Sequence, residues 1–170
     1  MNRYFLLAAL ISMQLNCSPG QSKYEEFIGK TYRSLTEFET FNTFNETQRK
    51  IIGNFDNVDY VVSHYVKDST NLIIFEKIVK QPSGKAKYLM IDIVETSRLL
   101  ENQKIEFGVC RLNEKSDSEI IAIYGSEVEE VKYYSNIIKA WKANRKIGRL
   151  EKIDSKGVDC VNTSYGLDNN

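Results

Sequence analysis

The sequence predicts an α+β fold: an antiparallel meander of four to five strands covered by a long C-terminal helix, with short N-terminal helices. Three observations carry that expectation. Residues 58–124 hold β-branched and aromatic segments joined by connections too short for parallel crossovers. Residues 126–148 combine a capping signal, an apolar stripe and an ordered charge distribution. Tyrosine (10) and phenylalanine (8) are plentiful and proline (2) is scarce, a composition that leans toward strands and aromatic packing.

The elements follow in order. From Tyr24 to about Asn54 aromatics recur at mixed spacings: Tyr24, Phe27, Tyr32, Phe38, Phe41 and Phe44. Leu35, Phe38 and Phe41 fit one helix face, with Thr36 and Glu39 as a capping box, and a second short helix is expected over Glu46 to Ile52. Residues 53–57 (GNFDN) form a turn cluster. Strands are expected over Val58 to Val66, Asn71 to Lys80, Lys87 to Thr96, Lys104 to Leu112 and Glu119 to Tyr124. The residues 81–85 (QPSGK) supply a hairpin turn between the second and third.

The expected cover is the helix. Ser126 and Glu129 form a capping box, and Glu127, Glu129 and Glu130 precede Lys139, Lys142, Arg145 and Lys146, which suits a helix dipole. Val128, Val131, Tyr134, Ile138 and Trp141 recur at spacings of three or four, and Gly148 follows as a C′ residue. A short strand is then expected over Arg149 to Asp154, and residues 158–162 return Cys160 to the body of the fold.

With 170 residues, 27% of them charged and 42% hydrophobic, the chain has ordinary globular composition. Lys plus Arg and Asp plus Glu both number 23, so no net field favours nucleic acid. The first residues differ from the rest. Arg3 precedes FLLAALISMQL, an apolar run of about eleven residues, shorter than the roughly 20 a spanning helix needs. That pattern describes a signal peptide over residues 1–16, followed by a polar tether over 17–23 and a single domain over 24–170.

Cys17 ends the apolar run and is followed by Ser18-Pro19-Gly20-Gln21-Ser22. This arrangement resembles the lipobox of bacterial lipoproteins, with Gln14 and Asn16 in place of its leucine and small residue. The resemblance implies acylation of Cys17 and a membrane partner through that anchor. It also implies a place in the cell envelope, on the periplasmic or outer face; the alternative is a periplasmic or secreted protein. With Cys17 set aside, Cys110 and Cys160 are either a disulfide, worth about 4 kcal/mol for a loop of roughly fifty residues, or two separate buried thiols. The segment AWKAN (140–144), Gly148, KGVDC (156–160) and Asn162 resembles the ending of small exported proteins of flavobacteria, a resemblance that implies compartment but no activity.

No phosphate loop, nucleophile elbow, paired C-x-x-C or H-E-x-x-H motif occurs, and one histidine, His64, does not build a typical zinc site; no cofactor is expected. Two functional readings follow. The first is a non-enzymatic binding or interaction domain, including an immunity- or inhibitor-like role. Its partner is an undefined protein or envelope component, and Tyr60, Tyr65 and Tyr133 could supply the surface. The alternative is a hydrolase using carboxylates such as Asp92 and Glu106 on the open sheet face. The oligomeric state is open. Asp68-Ser69-Thr70 matches a short O-glycosylation sequence, and Asn45 and Asn162 begin N-x-[ST] matches.

Overall fold

The computed structural model describes residues 23–52, 60–79, 86–125 and 131–166. The leader, Cys17 with its tether, the 53–57 and 81–85 turns, and the Ser126–Glu130 start of the expected helix lie outside those residues. Within them the fold is a stack of three antiparallel sheets, and its helices are three single 3-10 turns at Glu25–Phe27, Leu35–Glu37 and Glu39–Phe41.

The first sheet contains β1 (Thr31–Tyr32), β2 (Asn45–Ile52), β3 (Tyr60–Lys67), β4 (Thr70–Val79) and β5 (Lys87–Ser97). Its order is β1-β5-β4-β3-β2, so β2 to β5 form the expected meander. Leu72, Ile73, Ile74 and Phe75 are all fully buried, because apolar layers cover both faces of this sheet. A strand buried on both sides reads as a continuous apolar run rather than an alternation. One face meets the N-terminal aromatics, where Tyr24 stacks on Phe41 at 5.2 Å and Phe27 meets Phe41 at 4.7 Å. The other face meets the second sheet.

The second sheet is formed by β6 (Gln103–Phe107), β9 (Ile120–Gly125), β11 (Ile137–Asn144) and β12 (Arg149–Ile153), in the order β12-β11-β9-β6. Between it and the first sheet lies a core of Val62, Ile73, Phe75, Phe107, Ile121 and Trp141, among others. The third sheet, of β7 (Cys110–Leu112), β8 (Lys115–Ser116), β10 (Tyr133–Tyr134) and β13 (Val158–Val161), covers the far side of the second.

The expected α+β class is therefore corrected to all-β, and the long C-terminal helix is absent over its described part. Residues 137–144 are the strand β11, and Tyr133–Tyr134 belong to β10. A β-bulge lies within the stretch read as helix. The pairing with β9 runs Ile137↔Tyr124, Lys139↔Ile123, Ala140↔Ala122, so one residue is inserted at Ile138. That insertion puts Ile137 and Ala140, three apart, on one face, where both pack toward the third sheet. A bulged strand thus shares a same-face spacing of three with a helix. The basic residues serve ion pairs to the turn before β9 rather than a helix dipole: Lys142 bonds Asp117 at 2.7 Å, and Arg145 bonds Glu119.

The second N-terminal helix is corrected in the same way. Asn45–Ile52 is the edge strand β2, whose bulge between Glu46 and Gln48 places Glu46 and Arg49 on one face. The first helix is reduced to two 3-10 turns, and the capping box there is Ser34 with Glu37, not Thr36 with Glu39.

The expected strand over Lys104 to Leu112 is two strands. Gly108, at φ +81°, turns the chain from the second sheet into the third. A Cβ there would also meet Lys50 Cδ at 3.2 Å. The turn aims Cys110 at Cys160, its direct partner across β7 and β13, and the two form a disulfide with S–S 2.07 Å. The short strand expected after the helix, over Arg149 to Asp154, is present as β12, Arg149–Ile153.

Candidate functional site

The outward face of the first sheet buries an ionisable cluster under the N-terminal segment. Glu76 is fully buried on the same face as Leu72 and Ile74. One carboxylate oxygen accepts from the Tyr32 hydroxyl, and the other from Ser63 Oγ. Arg49 Nη1 lies 3.6 Å from Glu76, close enough for an ion pair but without a hydrogen bond to any group. The rest of that guanidinium is held tightly. Nε and Nη2 donate to the two oxygens of Glu46 at 3.0 and 2.8 Å, and Nη2 also donates to Tyr65 Oη at 2.7 Å. Tyr65 in turn donates to Glu46 at 2.7 Å. The guanidinium lies over the Tyr88 ring, 4.4 Å from its centroid.

Local structure sets each of these positions. The β2 bulge brings Glu46 and Arg49 to one face, forming a fork that suits bidentate carboxylate binding. A bulge in the β4–β5 pairing between Phe75 and Glu76 keeps Glu76 opposite Met90, beneath Tyr32 of β1. The Ser34–Glu37 capping box fixes the chain from Arg33 to Thr36 above them. Arg33, Ser34, Glu46, Arg49, Tyr65 and Tyr88 are among the residues that line a cleft of about 280 Å³.

The electrostatics follow from burial. Burial raises the Glu76 carboxyl above the ordinary carboxylate range, and Arg49, Ser63 and Tyr32 oppose that rise. Burial also opposes ionisation of Glu46, but the hydrogen bonds from Arg49 and Tyr65 outweigh it and its carboxyl falls below the ordinary value. The Tyr32 and Tyr65 hydroxyls are pushed up, chiefly by burial. Arg33 and Arg49 line the cleft with one carboxylate, Glu46, so its lining carries two cations to one anion. The arrangement can present a planar, oriented guanidinium and several hydroxyls to an anionic group. A buried ion pair is weak evidence for stability, and ionisable groups perturbed by burial beside a cleft mark candidate sites.

The residues singled out in the sequence fall elsewhere, Tyr65 excepted. Tyr60 stacks on Phe75 at 5.5 Å in the core between the first two sheets. Tyr133 lies in the third sheet beneath Arg111, 3.7 Å away, which forks onto Asp159. Tyr60, Tyr65 and Tyr133 therefore do not share a surface. Asp92 and Glu106 are not gathered either. Asp92 accepts from the Leu150 backbone N–H at 2.7 Å, tying β5 to β12 at one edge of the sheet stack. Glu106 accepts from Gln48 and Lys50 at 3.1 and 2.5 Å, tying β6 to β2 at the opposite edge. Three strand spacings, about 14 Å, separate β5 from β2.

His64 is buried, with Nδ1 2.7 Å from Thr47 Oγ1 and Nε2 3.0 Å from Asn71 Oδ1. Asn71 donates its amide to Ser97 O, so its oxygen accepts from Nε2–H, and burial lowers the imidazole below its ordinary value. Cys17 lies outside the described residues; Cys110 and Cys160 are joined as described. Ser69 is exposed at the tip of the β3–β4 hairpin.

Sequence reasoning missed Glu76 and Arg49. A signal for Glu76 was present, since Leu72, Ile74, Glu76 and Ile78 alternate and the acid interrupts an apolar set. Arg49 was hidden by reading its strand as a helix. No protein-family model, curated protein or solved structure matches this chain.

Proposed function

We propose that the protein is an exported, non-enzymatic binding domain, tethered to the envelope through acylated Cys17, that holds a carboxylate-bearing segment of a partner protein in the Arg49 cleft. The observation that carries this reading is the setting of Arg49. Its guanidinium is spread on Tyr88, backed by fully buried Glu76 and held at the rim by Glu46 and Tyr65. Such pre-orientation lowers the ordering cost of binding. Glu46, the more exposed partner, forms the fork that an incoming carboxylate would form. The leader, the Cys17 spacer and the disulfide support an exported location.

Calorimetric titration with an acetylated three-glutamate peptide tests the binding claim, with the three-glutamine peptide as control. The expected result is saturable binding of the acidic peptide, weakened at least tenfold by Arg49→Lys together with Arg33→Ala. Equal heats from both peptides would contradict it. Metabolic labelling with a palmitate analogue tests the tether: wild type should label and Cys17→Ala should not.

A further inference from the structure

A second feature lies at the end of the stack where β5 leaves the first sheet and β11 enters the second. Leu99, Leu100, Gln103, Ile123 and Ile138 line a largely apolar groove of about 280 Å³. Leu100 is 63% exposed, and Ile138, pushed out at the β11 bulge, is 43% exposed. Arg98 and Lys139 stand on the rim, and Glu101 is the acid in the adjoining turn. The described chain also begins at this end. Lys23 is paired with Glu95, two residues before Ser97 on the groove wall. Cys17 is six residues upstream of Lys23, a span of at most about 20 Å even when fully extended.

We infer that the groove-bearing end, with Leu100 and Ile138 foremost, rests on the phospholipid surface to which Cys17 is tethered. The inference depends on the proposed acylation of Cys17 and adds an orientation to it. A short tether brings this end to the headgroups, where exposed aliphatic side chains gain by partial insertion and rim cations by meeting anionic lipid. Ile147 is the internal contrast. It is as exposed, at 56%, but sits beyond the other end of β11, about 25 Å away along the strand.

The test uses full chains carrying either Leu100→Trp or Ile147→Trp, extracted from their membranes and reconstituted into phosphatidylcholine–phosphatidylglycerol vesicles with or without brominated acyl chains. Trp141, packed between the first two sheets, gives both the same background. The expected result is bromine quenching of the added tryptophan at position 100, at least threefold stronger than at position 147. Equal quenching at both positions, or none at position 100 in chains shown to carry the palmitate analogue, overturns the orientation alone. Failure of Cys17-dependent labelling overturns the acylation and the orientation with it.

Discussion

The two faces of the first sheet are built differently from the same strands. Toward the second sheet, Val62, Ile73 and Phe75 meet Ile121, Phe107 and Trp141 in an apolar core, beside which His64 bonds Asn71, and Asp92 and Glu106 act at its edges. Toward the N-terminal segment, an equally buried aromatic layer encloses Glu76, Ser63 and the Arg49 fork. Apolar packing would close that outer face as well, and removing two charges from water is costly unless function requires it. The inner face therefore reads as stability, and the outer face as the place where stability is surrendered for recognition.

Substitutions with the largest effects separate these roles. Phe75→Ala should cost about 3–5 kcal/mol in urea unfolding, as a core truncation. Arg49→Met should cost a similar amount, about 3–5 kcal/mol, because it leaves Glu76 buried without its cation. Adding Glu76→Gln should recover most of the Arg49→Met loss and none of the Phe75→Ala loss. Recovery in both backgrounds, or in neither, would erase the distinction between the faces.

The disulfide gives the next effect. Replacing Cys110 and Cys160 together by serine should lower stability by about 4 kcal/mol in the chain-entropy model. The acidic peptide should bind unchanged wherever the fold persists, since the bond lies in the third sheet. A change in affinity measured below the unfolding transition would contradict that separation.

Acidity should act oppositely on the two faces. Glu76 titrates above its ordinary range in the fold, so its contribution is most favourable below the unfolded carboxyl value and is lost as pH rises through the raised one. His64, on the side of Val62 and Ile73, titrates below its ordinary 6.5. Its contribution is present above that value and is lost as pH falls toward the lowered one. Stability should therefore decline less in Glu76→Gln as pH rises above the ordinary carboxylate range, and less in His64→Asn as pH falls below 6.5. The smallest effect belongs to Tyr88→Leu, which should cost about 1 kcal/mol by removing the ring beneath Arg49.

Much of the sheet architecture was legible in sequence, and the helix misreadings fall on bulged or very short strands. β3, β4, β5, β9 and β12 announce themselves through β-branched runs, alternation and turns. Of the three strands taken for helices, β2 and β11 carry a bulge and β10 is only two residues long. One inserted residue converts a same-face spacing of two into three, as at Glu46/Arg49 and Ile137/Ala140. Strands buried on both sides, such as Ala140 to Ala143, offer no clean alternation to correct the error. The site suffered most, because its central residue sits on a bulged strand and its carboxylate on another element 27 residues later. Tyr65 alone among the proposed surface tyrosines belongs to the cleft. Its neighbour Tyr60 could not be told from it by composition, only by which side of the sheet each occupies.

The central claim is that Arg49 receives a partner's carboxylate, and the Arg49 Nε–H resonance reports on it directly. In a titration with the acetylated three-glutamate peptide, that resonance should shift saturably as Glu46 is replaced, in step with Tyr88 ring signals. The three-glutamine peptide should leave it in place. An Nε–H resonance that stays fixed while the acidic peptide binds, or that moves equally with both peptides, would contradict the account.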